Sequence, residues 1–157
     1  MNVWYVNSIL GTFRLEEEDN AICGLALCPD GVPELEPLPR KVCETPLLQE
    51  AEEQLNEYFA GARREFDLPL APKGTPFQKA VWAEMCRIPY GETCTYGQLA
   101  AAIGRPKAAR AVGGACHCNP IAILQPCHRV VGRSGSLTGY AYGVEMKQYL
   151  LELEQQE

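Results

Sequence analysis

The stretch from residue 95 to residue 115, TYGQLAAAIGRPKAARAVGGA, carries the strongest local structural signals in the chain. Thr95 is a good helix N-cap, and Gln98 stands three residues later, as in a capping box. Apolar residues then repeat at helical spacing until Gly104, where we expect the helix to end. Pro106 is placed to begin a second helix. Two short helices joined at this glycine predict a helix-turn-helix.

The predicted second helix has small side chains along most of its length. Alanine and glycine dominate residues 108–115, and Val112 is the larger apolar residue among them. Small side chains let a backbone approach a partner closely, and the partner is either a DNA groove or a neighbouring helix. Lys107 and Arg110 add positive charge to this segment. A guanidinium at Arg110 can reach into DNA and stack where a base has been removed.

Charge is distributed unevenly along the chain. The whole sequence carries 14 basic and 20 acidic residues, a net charge of −6. Residues 1–72 carry a net charge of −9, whereas residues 73–157 carry +3 and the stretch from Cys94 to Lys147 carries +5. The basic region favours contacts with phosphate groups, although a solvated basic face explains the same charge equally well.

Residues 1–72 predict a small α+β domain with an antiparallel sheet. Apolar or β-branched runs separated by turn-forming residues indicate short strands. The predicted strands span residues 3–6, 11–15 and 21–27, and a proline-rich loop spans residues 33–40. Thr45 and Pro46 mark the start of a helix that Gly61 ends. The expected buried stripe of this helix is Leu47, Leu48, Ala51, Leu55 and Phe59.

Residues 68–74 predict a linker, beyond which the pattern becomes helical. Thr75 and Pro76 repeat the cap-and-proline signal of a helix start. The apolar face of this helix is expected to be Phe77, Val81, Trp82, Met85 and Ile88.

We therefore expect an α+β protein of two domains. The first is residues 1–72, and the second, residues 73–157, is mostly helical with a winged-helix-like helix-turn-helix.

PCHRV at residues 126–130 is the reactive segment of the sequence. A cysteine is a strong nucleophile only as the thiolate, so Cys127 needs a base or a cation nearby. His128 follows it directly, but adjacent side chains usually diverge, and a Cys-His dipeptide alone is more often structural. An apolar run leading to the rigid Pro126 is a suitable way to hold one thiol in a buried pocket.

The eight cysteines indicate a reducing compartment rather than a disulfide framework, because no secretory signal precedes them. No CxxC pair is present, which argues against a zinc ribbon. Cys116, His117 and Cys118 offer three donors, but neighbours so close in sequence rarely face one metal. We expect no metal site.

No run approaches about 18 apolar residues, so we expect a cytoplasmic protein without a membrane span.

Several motifs of the second half occur together in one known order. They are GTPFQKAVW at 74–82, TYGQL at 95–99, RPKAARAVGGA at 105–115, NPIAILQPCHRVVG at 119–132, GSLTGYAYG at 135–143 and KQYLLELE at 147–154. Over these residues the chain resembles the O6-alkylguanine-DNA alkyltransferases, also called methylated-DNA–protein-cysteine methyltransferases. The first half resembles the first domain of that family only loosely.

The resemblance implies a role for each catalytic residue. Cys127 matches the cysteine that accepts the alkyl group. His128 matches the base that takes the thiol proton through a water, and Glu154 matches the carboxylate that orients this histidine. Tyr96 matches the hydroxyl that protonates the departing guanine and rotates the target phosphate outward. Asn119 matches the residue that joins the recognition helix to the active-site loop.

The resemblance also implies contacts with DNA and with the alkylated base. Arg110 matches the residue that replaces the flipped nucleotide. The implied DNA-binding residues are Arg110, Tyr96, Lys107 and Ala109, and the implied pocket residues are Ala122, Val130, Tyr140, Ala141 and Tyr142. Three of the pocket residues depart from the family pattern. Ala122 replaces a proline of some members, Ala141 replaces a serine, and Tyr142 replaces a glycine, which narrows the pocket against large adducts.

The implied activity is that of a methylated-DNA–[protein]-cysteine S-methyltransferase. Such a protein repairs double-stranded DNA containing O6-alkylguanine, with O4-alkylthymine as a further candidate substrate. The base is flipped out through the minor groove, and the alkyl group moves to Cys127 once per molecule. The resemblance implies no cofactor, and we expect a monomer.

Three other functions use some of the same residues. A non-catalytic sensor of alkylated DNA is disfavoured, because the alkyltransferase-like proteins have tryptophan where this chain has Cys127. A transcription factor of this family carries an additional metal-binding domain, for which 157 residues leave no room. A cysteine hydrolase could use His128 and Glu154 equally well, but it leaves the basic region and Arg110 unexplained.

Overall fold

A computed structural model of the protein describes residues 1–29, 31–32, 41–137 and 140–156. The chain divides into two compact units, Met1–Pro72 and Lys73–Glu157. The predicted proline-rich loop at 33–40 lies outside the described residues. The predicted α+β class is confirmed, because a sheet dominates the first unit and helices dominate the second.

The first unit is a four-stranded sheet with one helix. Its elements are β1 (Asn2–Ser8), β2 (Gly11–Glu18), β3 (Ala21–Cys28), β4 (Lys41–Val42) and α1 (Pro46–Phe59). The three predicted strands are present and pair antiparallel in the order β3-β2-β1. The two-residue β4, which the sequence did not predict, joins β1 in parallel. The three long strands are therefore antiparallel, and β4 adds a parallel pairing at the β1 edge.

The helix α1 begins as predicted but buries a different stripe. The hydroxyl of Thr45 accepts a hydrogen bond from the backbone N–H of Leu48 at 3.1 Å, with Pro46 in the first turn. The predicted stripe is wrong at both ends, because Leu47 and Phe59 are only half-buried. The buried residues are Leu48, Ala51, Gln54, Leu55 and Tyr58. Gln54 can be buried because its amide pairs with the backbone N–H and C=O of Asp67, at 2.9 and 3.2 Å.

The predicted linker is partly a piece of the first unit. Ile22 of β3 donates its N–H to the carbonyl of Pro69 at 2.8 Å and accepts from the N–H of Ala71 at 2.8 Å. Residues 69–71 therefore line the edge of the sheet. The apolar and proline-rich composition predicted a connection and did not reveal this pairing, which depends on a strand about fifty residues earlier in the chain.

The second unit is mostly helical. Its elements are α2 (Pro76–Met85), β5 (Cys94–Thr95), α3 (Tyr96–Ala102), α4 (Ala109–His117), a 3-10 turn (Cys127–Arg129), β6 (Val130–Val131) and α5 (Val144–Gln155). The indole of the fully buried Trp82 donates to the carbonyl of Ala115 at 2.9 Å, which ties α2 to α4. Among the described residues, no helix combines the length and apolarity needed to cross a membrane.

The helices α3 and α4 form the predicted helix-turn-helix, with one boundary moved. The capping box of Thr95 and Gln98 is present, and Gly104 adopts a positive φ of 79° after α3. The predicted start of the second helix at Pro106 is wrong, because α4 begins at Ala109. Pro106 instead lies in a turn closed by the N–H of Ala108 and the carbonyl of Arg105 at 2.9 Å. The fixed φ of proline suits such a turn as well as a first helical residue.

A short parallel pairing brings α3 to the reactive segment. Cys94 and Thr95 of β5 pair with Val130 and Val131 of β6. Because the two strands are parallel, the start of α3 after β5 and the 3-10 turn before β6 lie at opposite ends of this short pair, and the pairing fixes their spacing.

Candidate active site

The thiol of Cys127 is held inside the second unit. Cys127 opens the 3-10 turn, is 5% exposed, and donates its backbone N–H to the carbonyl of Gln125 at 2.8 Å. The side-chain amide of Asn119 donates to its sulfur at 3.2 Å. A sulfur that accepts an N–H bond is favoured in its anionic form, so the contact suits a nucleophile.

Asn119 links the end of α4 to the segment that carries the thiol. Its Nδ2 donates both to the sulfur and to the carbonyl of Gln125, the latter at 2.8 Å. Its Oδ1 accepts from the N–H of Ile121 at 3.0 Å and from the amide of Gln125 at 2.7 Å. Its own backbone N–H reaches the carbonyl of Cys116 at 3.3 Å. The side chain of Asn119 therefore holds the backbone of residues 119–127 in place through these hydrogen bonds.

The same segment contains backbone strain. Ile123 has a φ of +68°, a left-handed conformation that a β-branched residue rarely adopts. The residue is 1% exposed, so packing holds it in place. Such strain costs on the order of 1–3 kcal/mol and persists only where the surroundings determine the conformation. The conformation of the loop before Cys127 is therefore imposed by tertiary packing.

His128, Glu154 and Arg129 form one buried hydrogen-bonded group. His128 is fully buried, and its Nε2 lies 2.6 Å from Oε2 of Glu154. Arg129 donates to both oxygens of the same carboxylate, at 2.8 and 3.1 Å, and to the carbonyl of Ile88 at 2.8 Å. The backbone N–H of Gly91 also reaches Glu154, at 3.4 Å. Because an ionised carboxylate only accepts, the histidine hydrogen is on Nε2 and Nδ1 is the acceptor.

Burial sets the resting protonation states of the thiol and the imidazole. Burial raises the pKa of Cys127, and the Asn119 hydrogen bond and the charge of Lys147 oppose this. Burial lowers the pKa of His128, opposed by the hydrogen bond and charge of Glu154. Both shifts favour the neutral pair, a thiol and an imidazole with a basic Nδ1.

A surface cleft brings together three of the predicted DNA-binding residues. Tyr96, Ala109 and Arg110 line a cavity of about 560 Å³, together with Thr95, Gly97, Gln98 and Arg133. Arg110 projects from α4 as an exposed side chain. Lys107 is also exposed, in the turn before α4, but it does not line this cleft. The cleft therefore adds Arg133, which the sequence analysis missed, to the cationic groups at the helix-turn-helix.

The five predicted pocket residues have different exposures. Ala122, Val130 and Tyr140 are buried, Tyr142 is half-buried, and Ala141 is exposed. The rings of Tyr140 and Tyr142 meet edge to face with centroids 5.8 Å apart. Among the described residues, the hydroxyl of Tyr140 and Nδ1 of His128 are buried without a hydrogen-bond partner. These two atoms are available to a ligand or to a reacting group.

The sequence analysis missed Arg129 and Lys147. Arg129 belongs to PCHRV, but its partner Glu154 lies 25 residues later, so no local pattern revealed the ion pair. Lys147 is fully buried and its Nζ contacts the hydroxyl of Tyr96. Its spacing of seven residues from Glu154 places both on one face of a helix, and that signal could have identified it.

The three potential metal donors of Cys116, His117 and Cys118 do not converge. Cys116 is buried, with its sulfur 3.6 Å from that of Met85, whereas His117 and Cys118 are exposed. Within the described ranges, no three His, Cys, Asp or Glu side chains are grouped so that they could hold a metal ion.

Comparison with known proteins gives matches along both units. The 6-O-methylguanine DNA methyltransferase ribonuclease-like domain matches residues 3–72, and the DNA binding domain of the same family matches residues 76–156. The methylated-DNA–protein-cysteine methyltransferase of Methanosarcina barkeri is 58% identical over 107 residues, 68% of each chain. The constitutive methylated-DNA–protein-cysteine methyltransferase of Bacillus subtilis is 56% identical over 112 residues, 71% of this chain and 68% of its own.

A solved structure matches nearly the whole chain. The crystal structure of Mycobacterium tuberculosis OGT in complex with DNA has a TM-score of 0.89 and 42% sequence identity. The match covers 99% of this chain and 93% of that chain.

Proposed function

The chain belongs to the 6-O-methylguanine DNA methyltransferase family, and we propose that it repairs alkylated DNA by moving the alkyl group of O6-alkylguanine onto Cys127. The transfer happens once per molecule. The nucleophile, the base and the proton donor are all side chains of the second unit, so the proposed reaction uses no cofactor and a monomer suffices for it.

The buried arrangement of sulfur, imidazole and carboxylate is the observation that most directly supports this proposal. Asn119 lies 3.2 Å from the sulfur of Cys127, and Glu154 lies 2.6 Å from the imidazole of the next residue. A positioned base and a third group that orients it are the usual means of activating a nucleophile. In the proposed step His128 receives the thiol proton at Nδ1 through a water.

The proposed transfer is one in-line displacement. The thiolate of Cys127 forms a bond to the alkyl carbon as the bond from that carbon to O6 breaks. The electron pair goes to the purine, which takes the hydroxyl proton of Tyr96. The product is a thioether, and no second nucleophile in the proposal removes the alkyl group. Each molecule is therefore consumed by one repair event.

The helix-turn-helix supplies the proposed contact with duplex DNA. The alkylated oxygen is unreachable in a base stack, so the nucleotide must be extruded at a cost of a few kcal/mol. Arg110 is exposed in the cleft that also contains Tyr96, and the small side chains of α4 permit a close approach to the groove. In the proposal Arg110 takes the place of the flipped base, and Lys107 and Ala109 contact the duplex beside it.

The mass of the intact protein tests the proposed function. The protein is mixed with a duplex that contains one O6-methylguanine, and fragmentation then locates any added group in the tryptic peptide 111–129. We expect one methyl group per molecule, on Cys127, and no turnover beyond one equivalent. Unchanged mass with tight binding of the modified duplex would identify a damage sensor instead. Unchanged mass without such binding would reject DNA repair and favour a hydrolase.

Replacement of Arg110 by alanine tests base flipping. We expect Arg110→Ala to slow methyl transfer from duplex DNA by about tenfold or more. A loss of about 1.4 kcal/mol in the stabilisation of the flipped state has that effect on the rate. Transfer from the free base O6-methylguanine needs no extrusion and should change little. Rates on the two substrates are measured by mass, with Arg87→Ala as the control for loss of an exposed arginine outside the cleft. Equal slowing on both substrates would contradict the flipping role.

A further inference from the structure

Gln125 is a buried polar residue two positions before the nucleophile, and the reaction proposed above does not use it. It is 3% exposed. Glutamine is mostly found at protein surfaces, and a buried amide is stable only where its polar atoms are hydrogen-bonded. The side-chain nitrogen of Gln125 donates to Oδ1 of Asn119 at 2.7 Å. The buried donor of Gln125 is therefore directed at the residue that contacts the sulfur of Cys127.

Gln125 contacts both ends of the side-chain amide of Asn119. Its side-chain nitrogen donates to Oδ1, and its backbone carbonyl accepts from Nδ2 at 2.8 Å. The backbone N–H of Ile121 is a second donor to Oδ1, at 3.0 Å. A carboxamide accepts only at its oxygen and donates only at its nitrogen. Because two donors meet the oxygen of Asn119, its nitrogen is turned toward the sulfur of Cys127.

The orientation of this amide decides its effect on the thiol. Nδ2 of Asn119 lies 3.2 Å from the sulfur of Cys127 and donates to it. The reversed amide would place an oxygen there, which repels a thiolate. A hydrogen bond accepted at Oδ1 also polarises the amide and makes its N–H a stronger donor. Burial raises the pKa of Cys127, and the hydrogen bond from Asn119 opposes this shift.

We propose that Gln125 is a positioning residue for the alkyl transfer, which keeps the amide nitrogen of Asn119 on the sulfur of Cys127 and strengthens the N–H that stabilises the thiolate. The contacts form one chain, from the amide of Gln125 to Oδ1 at 2.7 Å and from Nδ2 to the sulfur at 3.2 Å. This inference rests on the proposed function, in which Cys127 is the nucleophile. Because Gln125 acts through Asn119, its effect on the thiol should disappear when Asn119 is replaced.

The reaction of Cys127 with methyl iodide tests this chain of hydrogen bonds. The thiolate displaces iodide, and the reaction needs neither DNA nor a proton donor, so its rate reports the thiolate alone. Fragmentation of the tryptic peptide 111–129 separates Cys127 from the other two cysteines of that peptide. Gln125→Met keeps the length of the side chain and removes its donor. We expect it to move the pH–rate profile of Cys127 upward by about half a unit, and to slow methyl transfer from duplex DNA about threefold.

The other titratable groups around the thiol and its base stay constant in this experiment. They are Cys116 of α4, Lys147 and Glu154 of α5, the adjacent His128, and Tyr140. The variants change none of these groups, so a difference between two profiles reports the amide of Asn119.

A double-mutant cycle shows whether Gln125 acts through Asn119. Asn119→Ala should shift the methyl iodide profile by more than Gln125→Met does, and adding Gln125→Met to Asn119→Ala should shift it no further. Gln54→Met is the matched control, because Gln54 is 2% exposed and its amide is also hydrogen-bonded, but in the first unit. This control should leave the profile of Cys127 unchanged even though it lowers the free energy of unfolding.

Either of two results would overturn the inference. One is an unchanged methyl iodide profile in a Gln125→Met protein that is folded by circular dichroism. The other is a shift that persists in full when Gln125→Met is added to Asn119→Ala. If either variant does not fold, Gln125→Leu or Asn119→Leu replaces it and is read in the same way. Failure of the wild-type protein to take a methyl group from DNA would instead reject the proposed function, and the methyl iodide profiles would still decide whether Gln125 acts on the thiol.

Discussion

Replacement of Cys127 by alanine is expected to abolish methyl transfer while the protein still binds alkylated DNA. Within the part of the chain that the structure describes, Cys127 is the sulfur that accepts a side-chain N–H, at 3.2 Å, and its neighbour His128 is held by Glu154. Loss of the nucleophile in an enzyme of this kind typically lowers the rate by on the order of 10⁴-fold or more. The change removes a single sulfur atom, so the fold and the exposed DNA-binding surface should remain. Intact mass and an electrophoretic mobility assay measure the two properties.

Cys116→Ala is the matched control for this experiment. Cys116 is buried in the same unit, and burial, aided by negative charge on Cys127, raises its pKa to about 12. It is therefore a thiol at neutral pH, and its replacement should leave methyl transfer largely intact. If methyl transfer survives Cys127→Ala, or disappears in Cys116→Ala alone, then Cys127 is not the nucleophile. Loss of DNA binding in Cys127→Ala would indicate a disturbed fold.

Glu154→Gln is expected to lower both the stability and the rate of methyl transfer. The glutamine keeps the shape of the side chain but removes the charge that pairs with Arg129, which is 7% exposed. Breaking one partner of a buried ion pair costs about 3–5 kcal/mol, a large part of a typical free energy of unfolding of about 5–15 kcal/mol. His128 also loses its anionic acceptor, so we expect methyl transfer at pH 7 to slow by about 100-fold or more.

The control for Glu154→Gln lies on the same helix. Glu152 is exposed and accepts a hydrogen bond from Gln148 at 3.0 Å, so Glu152→Gln should change the free energy of unfolding by less than about 0.5 kcal/mol. Urea denaturation measures the stability, and methyl transfer is measured below the onset of unfolding. If Glu154→Gln has wild-type stability, the ion pair between Arg129 and Glu154 does not contribute to the free energy of unfolding as expected. Wild-type methyl transfer in the folded variant would remove Glu154 from the proposed relay.

Local sequence patterns predicted the ends of elements well where the stabilising contact is also local. The Thr95 cap bonds to Gln98 three residues away, so the start of α3 could be predicted from four letters of sequence. Pro106 shows the limit of such rules, because a proline fits both a turn and the first turn of a helix. The choice between them depends on where α4 packs, and the sequence around residue 106 does not contain that information.

The candidate site was predictable only through the family resemblance, and incompletely. The resemblance named Cys127, His128 and Glu154, and their geometry in the structure supports the roles proposed for them. Arg129 was missed because arginine next to histidine has no distinctive pattern. Arg129 is buried because it pairs with the carboxylate of Glu154, which lies 25 residues later in the chain. Lys147 was missed because a basic residue in a basic region is normally interpreted as exposed.

The sequence by itself determined the three long strands, the helices α1 and α2 and the helix-turn-helix, and the family resemblance of its motifs pointed to Cys127 as the candidate nucleophile. Capping, turn formation and helical periodicity act within one or two turns of the chain, so neighbouring residues contain the necessary information. Only the tertiary structure decided the surroundings of Cys127: the amide of Asn119, the Glu154–Arg129 pair and the ammonium of Lys147 near Tyr96. These contacts depend on the pairing of β5 with β6 and on the return of α5, which burial of distant apolar surfaces stabilises.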